Sequence, residues 1–85
     1  MYSIRYSKQA LKAKSRMPKG ISERMGKELA VIAGNPSSYK GDWQPMKGTP
    51  YWRLRVGDWR AICEVVDDIL MIFVLKIGSR GDVYK

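Results

Sequence analysis

The 85-residue sequence contains no histidine and a single cysteine, Cys63. One cysteine rules out an internal disulfide. Without histidine, the roughly four nitrogen or sulfur ligands of a structural zinc cannot come from one chain. The commonest acid–base group near neutral pH is also missing, so any catalysis must use less convenient groups. No apolar run approaches the roughly eighteen residues of a membrane span. The opening Met1-Tyr2-Ser3-Ile4-Arg5 lacks the basic-then-apolar pattern of a secretion signal, so a cytoplasmic protein is expected. Acidic residues are scarce too: eight Asp and Glu stand against sixteen Lys and Arg, a net charge of +8. That balance suits a polyanionic partner, either nucleic acid or an acidic protein. The excess is concentrated at the start, where residues 1–34 carry eight cations against two acids.

What is present reads as one folded domain, 1–85, because 45% apolar content is ample for a core and too high for general disorder. Tyr2, Ile4 and Tyr6 alternate with polar residues, as a strand requires. Ser7 stands where a helix N-cap belongs, ahead of a short helix over Lys8–Lys14. A second helix is expected from Pro18 to Ala33, with Ile21, Met25, Leu29 and Ile32 on one face. Gly34-Asn35-Pro36 ends it. Residues 35–50, with three prolines and two glycines, read as a long loop. Tyr51–Val56 and Trp59–Val66 alternate around a Gly57-Asp58 turn and form a hairpin. After Asp67-Asp68 the apolar run Ile69–Leu75 reads as a strand covered on both faces. The expected class is α+β, two N-terminal helices packed on a mainly antiparallel four-stranded sheet.

The hairpin carries the functional clue. A two-residue turn places Val56 opposite Trp59 and Arg55 opposite Arg60. Alternation then sends Arg53, Arg55 and Arg60 to one face and Trp52, Leu54 and Val56 to the other. Like charges directly opposite destabilise a sheet by up to ~1 kcal/mol. The arginines could splay into water or pair with Glu64 and Asp58. With three on one face and Arg80 beyond the last strand, a bound phosphate is the better expectation, since the guanidinium fork matches its oxygens. The arginine face also carries Ile62, Val66, Ile69, Met71 and Phe73, so the 35–50 loop, through Trp43 and Met46, or a partner protein is expected to cover it. Cys63 is placed on the helix-covered face with Leu70 and Val74, as an inert buried thiol.

The stretch Leu54-Arg55-Val56-Gly57-Asp58-Trp59-Arg60 is followed by Glu64-Val65-Val66-Asp67-Asp68 and Leu75-Lys76-Ile77-Gly78-Ser79-Arg80-Gly81-Asp82-Val83-Tyr84. Together they resemble the RelE/ParE superfamily of toxins from type II toxin–antitoxin systems. Met46-Lys47-Gly48 is similar to that family's basic-Gly turn before its second strand. The likeness spans essentially the whole chain, with the most specific part in its C-terminal half, and is greatest to the RelE branch, through Arg60, Arg80 and Tyr84. It implies a RelE-like fold and a metal-independent endoribonuclease with no cofactor, cutting mRNA in the ribosomal A site. It also implies an acidic antitoxin that binds this chain in a heteromeric complex.

In such a reaction the ribose 2′-hydroxyl attacks the adjacent phosphate and leaves a cyclic phosphate. The resemblance implies Arg60 and Arg80 as the groups that stabilise the transition-state charge, since arginine stays protonated and is a poor base. Tyr84 is the candidate for proton transfer, its phenolate favoured beside two guanidiniums, or for stacking on a base. Lys47 or Lys85 could protonate the leaving oxygen, and Arg53, Arg55 and Lys85 would hold the RNA backbone. Where many relatives carry lysines on the second strand this chain has Arg53 and Arg55, and where several carry histidine before the final arginine it has Ser79. The alternatives are a ParE-like gyrase inhibitor without RNA chemistry, or a degenerate toxin that only binds its antitoxin.

Overall fold

A computed structural model of the protein describes residues 1–79; Arg80 to Lys85 lie outside the described residues. The chain runs β1 (Ser3–Tyr6), α1 (Lys8–Arg16), α2 (Lys19–Gly34), β2 (Trp43–Pro45), β3 (Tyr51–Val56), β4 (Trp59–Val66) and β5 (Met71–Ser79), with single 3-10 turns at Pro36–Ser38 and Asp67–Ile69. Ser7 caps α1 as expected, its Oγ accepting the Ala10 N–H at 3.0 Å. Pro18 suits the start of α2, where its missing N–H would find no helical partner. Along α2 the 3.6-residue period buries Met25, Leu29, Ile32 and Ala33, while Ile21 is half-buried. These side chains meet Leu54, Val56, Ala61, Cys63, Ile72, Val74 and Ile77 in one core between the helices and the sheet.

The sheet order is β1-β5-β4-β3-β2, with β1 parallel to β5 and every other pair antiparallel. The α+β class and helix placement agree with the sequence reading, but the sheet has five strands where four were expected. The additional strand, β2, lies inside the segment expected to be loop. Three residues are too few to display an alternation, and Pro45 confines such a segment to a sheet edge, where β2 lies. The reversal into β3 falls at Lys47-Gly48. There the Thr49 N–H donates to the Met46 carbonyl at 3.1 Å, and Gly48 takes a φ of +79° that a side chain would disfavour.

Two further differences concern β5. It begins at Met71, because Asp67–Ile69 form a 3-10 turn and Leu70 closes it in the left-handed region at φ 48°. It also continues past Leu75 to Ser79, through a register shift against β4 between Ile62 and Cys63. Cys63 faces Val74 while Ile62 faces Lys76, so Leu75 is the extra residue of a β-bulge. Beyond the bulge β1 has ended, and side chains take over its edge. Ser7 Oγ donates to the Leu75 carbonyl at 2.6 Å. Gln9 serves both backbone groups of Ile77, its Nε2 donating to the carbonyl at 3.3 Å and its Oε1 accepting the N–H at 3.2 Å. Gln9→Ala is expected to leave both groups in a partly buried site without these contacts. The expected loss is about 1–3 kcal/mol, read as a lower urea midpoint at unchanged slope.

Candidate functional site

The Gly57-Asp58 turn has the conformation that its glycine permits, with φ of +61° at Gly57. It sets the expected register: Val56 pairs with Trp59, Arg55 with Arg60, and Leu54 with Ala61. Leu54, Val56 and Ala61 are buried under the helices, so Arg53, Arg55 and Arg60 emerge on the opposite face. β5 extends this face, since Gly78 pairs with Arg60 and Lys76 with Ile62.

In the like-charge pair Arg55–Arg60, the Arg55 side chain turns back to its own hairpin turn. Arg55 is exposed and turns its Nε to the Gly57 carbonyl at 3.2 Å. Arg53 Nη2 meets Asp42 Oδ1 at 3.0 Å, in an ion pair exposed enough to add no more than ~1 kcal/mol to stability. Arg60 is half-buried. It shares a cleft of about 300 Å³ with Gln44, Pro45, Met46, Lys47 and Arg53. That volume is at the lower end for small-ligand pockets, ~300–1,000 Å³.

Three of the expected site residues, Lys47, Arg53 and Arg60, therefore line one cleft, with Arg55 directly across the strand pair from Arg60. The expected Arg80, Tyr84 and Lys85 lie outside the described residues. The cleft presents three cations from three places in the chain: the β2–β3 turn, β3 and β4. Such a cluster can bind an anion and stabilise negative charge that grows during a reaction.

Sequence reasoning missed Asp42 and Gln44, whose placement depends on a strand too short to be seen. Gln44 pairs with Arg53, and the Arg55 N–H donates to the Asp42 carbonyl at 2.9 Å. The approach to β2 is sterically tight. A Cβ on Gly41 would come within 2.1 Å of the Tyr39 hydroxyl, which donates a hydrogen bond to Glu28. Burial and that bond push the Tyr39 phenol up. The same register overturns the expectation that Trp43 covers the arginine face. Trp43 lies across from Leu54, on the helix side, and stacks on Trp52 with ring centroids 5.2 Å apart. Met46 does reach the arginine face, at the cleft. Cys63 is buried beside Val74 as expected, but Leu70 is exposed in the turn before β5 and does not join them.

The family model for the ParE toxin of the type II toxin–antitoxin system parDE matches residues 4–84. The chain belongs to this toxin family, within the RelE/ParE superfamily. An Escherichia coli RelE-like toxin protein is 28% identical over 99% of this toxin and 90% of the relative. The mRNA interferase toxin RelE of Escherichia coli strain K12 is 23% identical over the same shares. The crystal structure of the archaeal RelE–RelB complex from Pyrococcus horikoshii is similar at a TM-score of 0.81 and 28% identity, covering 95% of this chain and 97% of that one.

Burial pushes the Cys63 thiol of this toxin up to about 12. The folded pKa lies above the unfolded one. The resulting stabilisation is therefore full below about pH 9 and is lost as the pH rises toward 12. Cys63→Ala is expected to lack this alkaline component when urea midpoints are compared across that range. In the native toxin at pH 8, a disulfide thiol reagent should label Cys63 only as fast as the fold opens.

Proposed function

We propose that this chain is a RelE-type toxin, a cytoplasmic endoribonuclease that cuts mRNA in the ribosomal A site and arrests translation and growth. The observation that carries the reading is the cleft in which Lys47, Arg53 and Arg60 converge on the sheet face opposite the helices. A relative named an mRNA interferase adds support. In the proposed step the 2′-hydroxyl loses its proton and its oxygen bonds to the adjacent phosphorus. The bond to the 5′-oxygen then breaks, and a cyclic phosphate and a free 5′-hydroxyl result. Arg60 stabilises the extra charge on the phosphorane-like transition state, and Lys47 protonates the leaving oxygen. Arg53 and Arg55 hold the flanking phosphates, with Lys85 as a further contact.

Arg80 and Tyr84 complete the proposed set, Arg80 as a second charge stabiliser and Tyr84 as the proton acceptor or a stacking platform. Arg80 follows in sequence two residues after Gly78, the strand partner of Arg60. No cofactor or metal is assigned a role in this scheme. With no histidine in the sequence and no carboxylate among the described residues that line the cleft, acid–base assistance is weak, and a substrate already oriented by the ribosome would supply much of the rate. An acidic antitoxin in a heteromeric complex would neutralise the net charge of +8 and cover the site. The match to a ParE family model favours a second reading, a gyrase inhibitor built on the same fold without RNA chemistry.

Mapping 5′ ends of cellular mRNA after induction separates the two. Codon-periodic cuts support the nuclease, whereas intact mRNA with double-strand DNA breaks supports gyrase inhibition. Loss of all growth arrest from the parent chain would indicate a degenerate toxin. Arg60→Ala, Arg80→Ala and Tyr84→Phe are each expected to relieve growth arrest with antitoxin binding intact. Cleavage should fall at least ~100-fold for either arginine variant.

A further inference from the structure

The nuclease scheme leaves Asp42 without a role, although it carries the only ion pair joining two described residues. Asp42 does not line the cleft, but the arginine it holds does. Its backbone is fixed on several sides. The Asp42 carbonyl accepts the Arg55 N–H at 2.9 Å, and the Trp43 N–H donates to the Gly41 carbonyl at 3.0 Å. At Gly41 the Tyr39 phenol leaves no room for a side chain. The carboxylate is thus mounted on an ordered strand edge. A guanidinium is a rigid plane, so the hydrogen bond from Nη2 to Oδ1 constrains the orientation of the whole fork.

We infer that Asp42 is a positioning residue that holds the Arg53 guanidinium toward the cleft in the orientation that meets a phosphate of single-stranded RNA. This rests on the reading of the cleft as an RNA site. Bulk electrostatics makes the opposite forecast. Removing one negative charge raises the net charge from +8 to +9, which by itself tightens binding of a polyanion. Orientation and charge therefore predict changes of opposite sign at the same residue. Asparagine separates them further, since its amide oxygen accepts the same hydrogen bond without the charge.

The test uses the full chain and a fluorescent single-stranded RNA octanucleotide with 2′-O-methyl sugars, which cannot be cleaved by 2′-hydroxyl attack. Affinity is read by anisotropy across a salt series. Asp42→Ala is expected to weaken binding about tenfold, and Arg53→Ala by a similar factor. The double variant should be no weaker than Arg53→Ala alone, because both changes remove one contact. In Asp42→Ala the slope of log affinity against log salt should become shallower by about 0.7, the share of one single-strand phosphate contact. Asp42→Asn should bind within about twofold of the parent chain. Thermal melting monitors the fold throughout, and Asp42→Ser, too short to reach Arg53, replaces the alanine variant if that chain does not fold.

Binding by Asp42→Ala at or above the parent affinity would overturn the inference, as would full additivity in the double variant. A parent chain that binds the RNA but leaves mRNA uncut overturns the nuclease reading alone, and the positioning role is still decided by the binding cycle. A parent chain that does not bind RNA overturns both.

Discussion

The register of the β3–β4 hairpin is the constraint on which the rest of the molecule depends. Gly57 takes the positive φ that closes the two-residue turn, and Val56 therefore faces Trp59. Because side chains alternate with a period of two, this choice buries Leu54, Val56 and Ala61 and turns Arg53, Arg55 and Arg60 outward. A slip of one residue would exchange the sets, burying guanidiniums and exposing the core. The hydrophobic side thus enforces the placement of the charged side. The fold holds its arginines together as a consequence of burying its valine and leucine.

Gathering cations costs free energy, and the structure shows how the cost is limited. Arg55 bends back to the carbonyl of its own turn, and Arg53 meets Asp42 across the strand edge. Neither contact contributes much stability, since both are partly exposed to water. Each contact does constrain where a planar group points. The two helices cover only the other side of the sheet, and the arginine side carries the cleft with Lys47 at its rim. Stability and charge are thus assigned to opposite faces of one layer. That division lets a chain of 85 residues keep an apolar core while displaying a strongly basic surface.

The bulge at Leu75 links these faces to the end of the chain. Before it, Met71 and Phe73 pair with Val66 and Glu64 on the arginine side; after it, Lys76 and Gly78 take that side instead. Ser7 and Gln9 hold the outer edge of the strand there, supplying from the start of α1 the hydrogen bonds that a longer β1 would have made. The helix that begins the core thus also sets the path of the last strand alongside Arg60.

Local and nearest-neighbour physics made much of this protein legible from its residues. The Ser7 cap, the buried stripe of α2, the hairpin register and the separation of arginines from core all follow from periods of 3.6 and 2 and from a glycine turn. Membership of the toxin superfamily was legible too, from the hairpin and the residues after β4. What the tertiary structure alone decided involves contacts between distant segments. β2 exists because β3 offers it an edge, and no alternation within Trp43–Pro45 announces it. That pairing sends Trp43 to the helix side, brings Asp42 to Arg53 and sets Lys47 beside Arg60. The bulge likewise depends on β4, β5 and the side chains of Ser7 and Gln9 meeting at one point. A sequence states which residues can alternate, but which edge a short strand joins is settled by the partner it finds there.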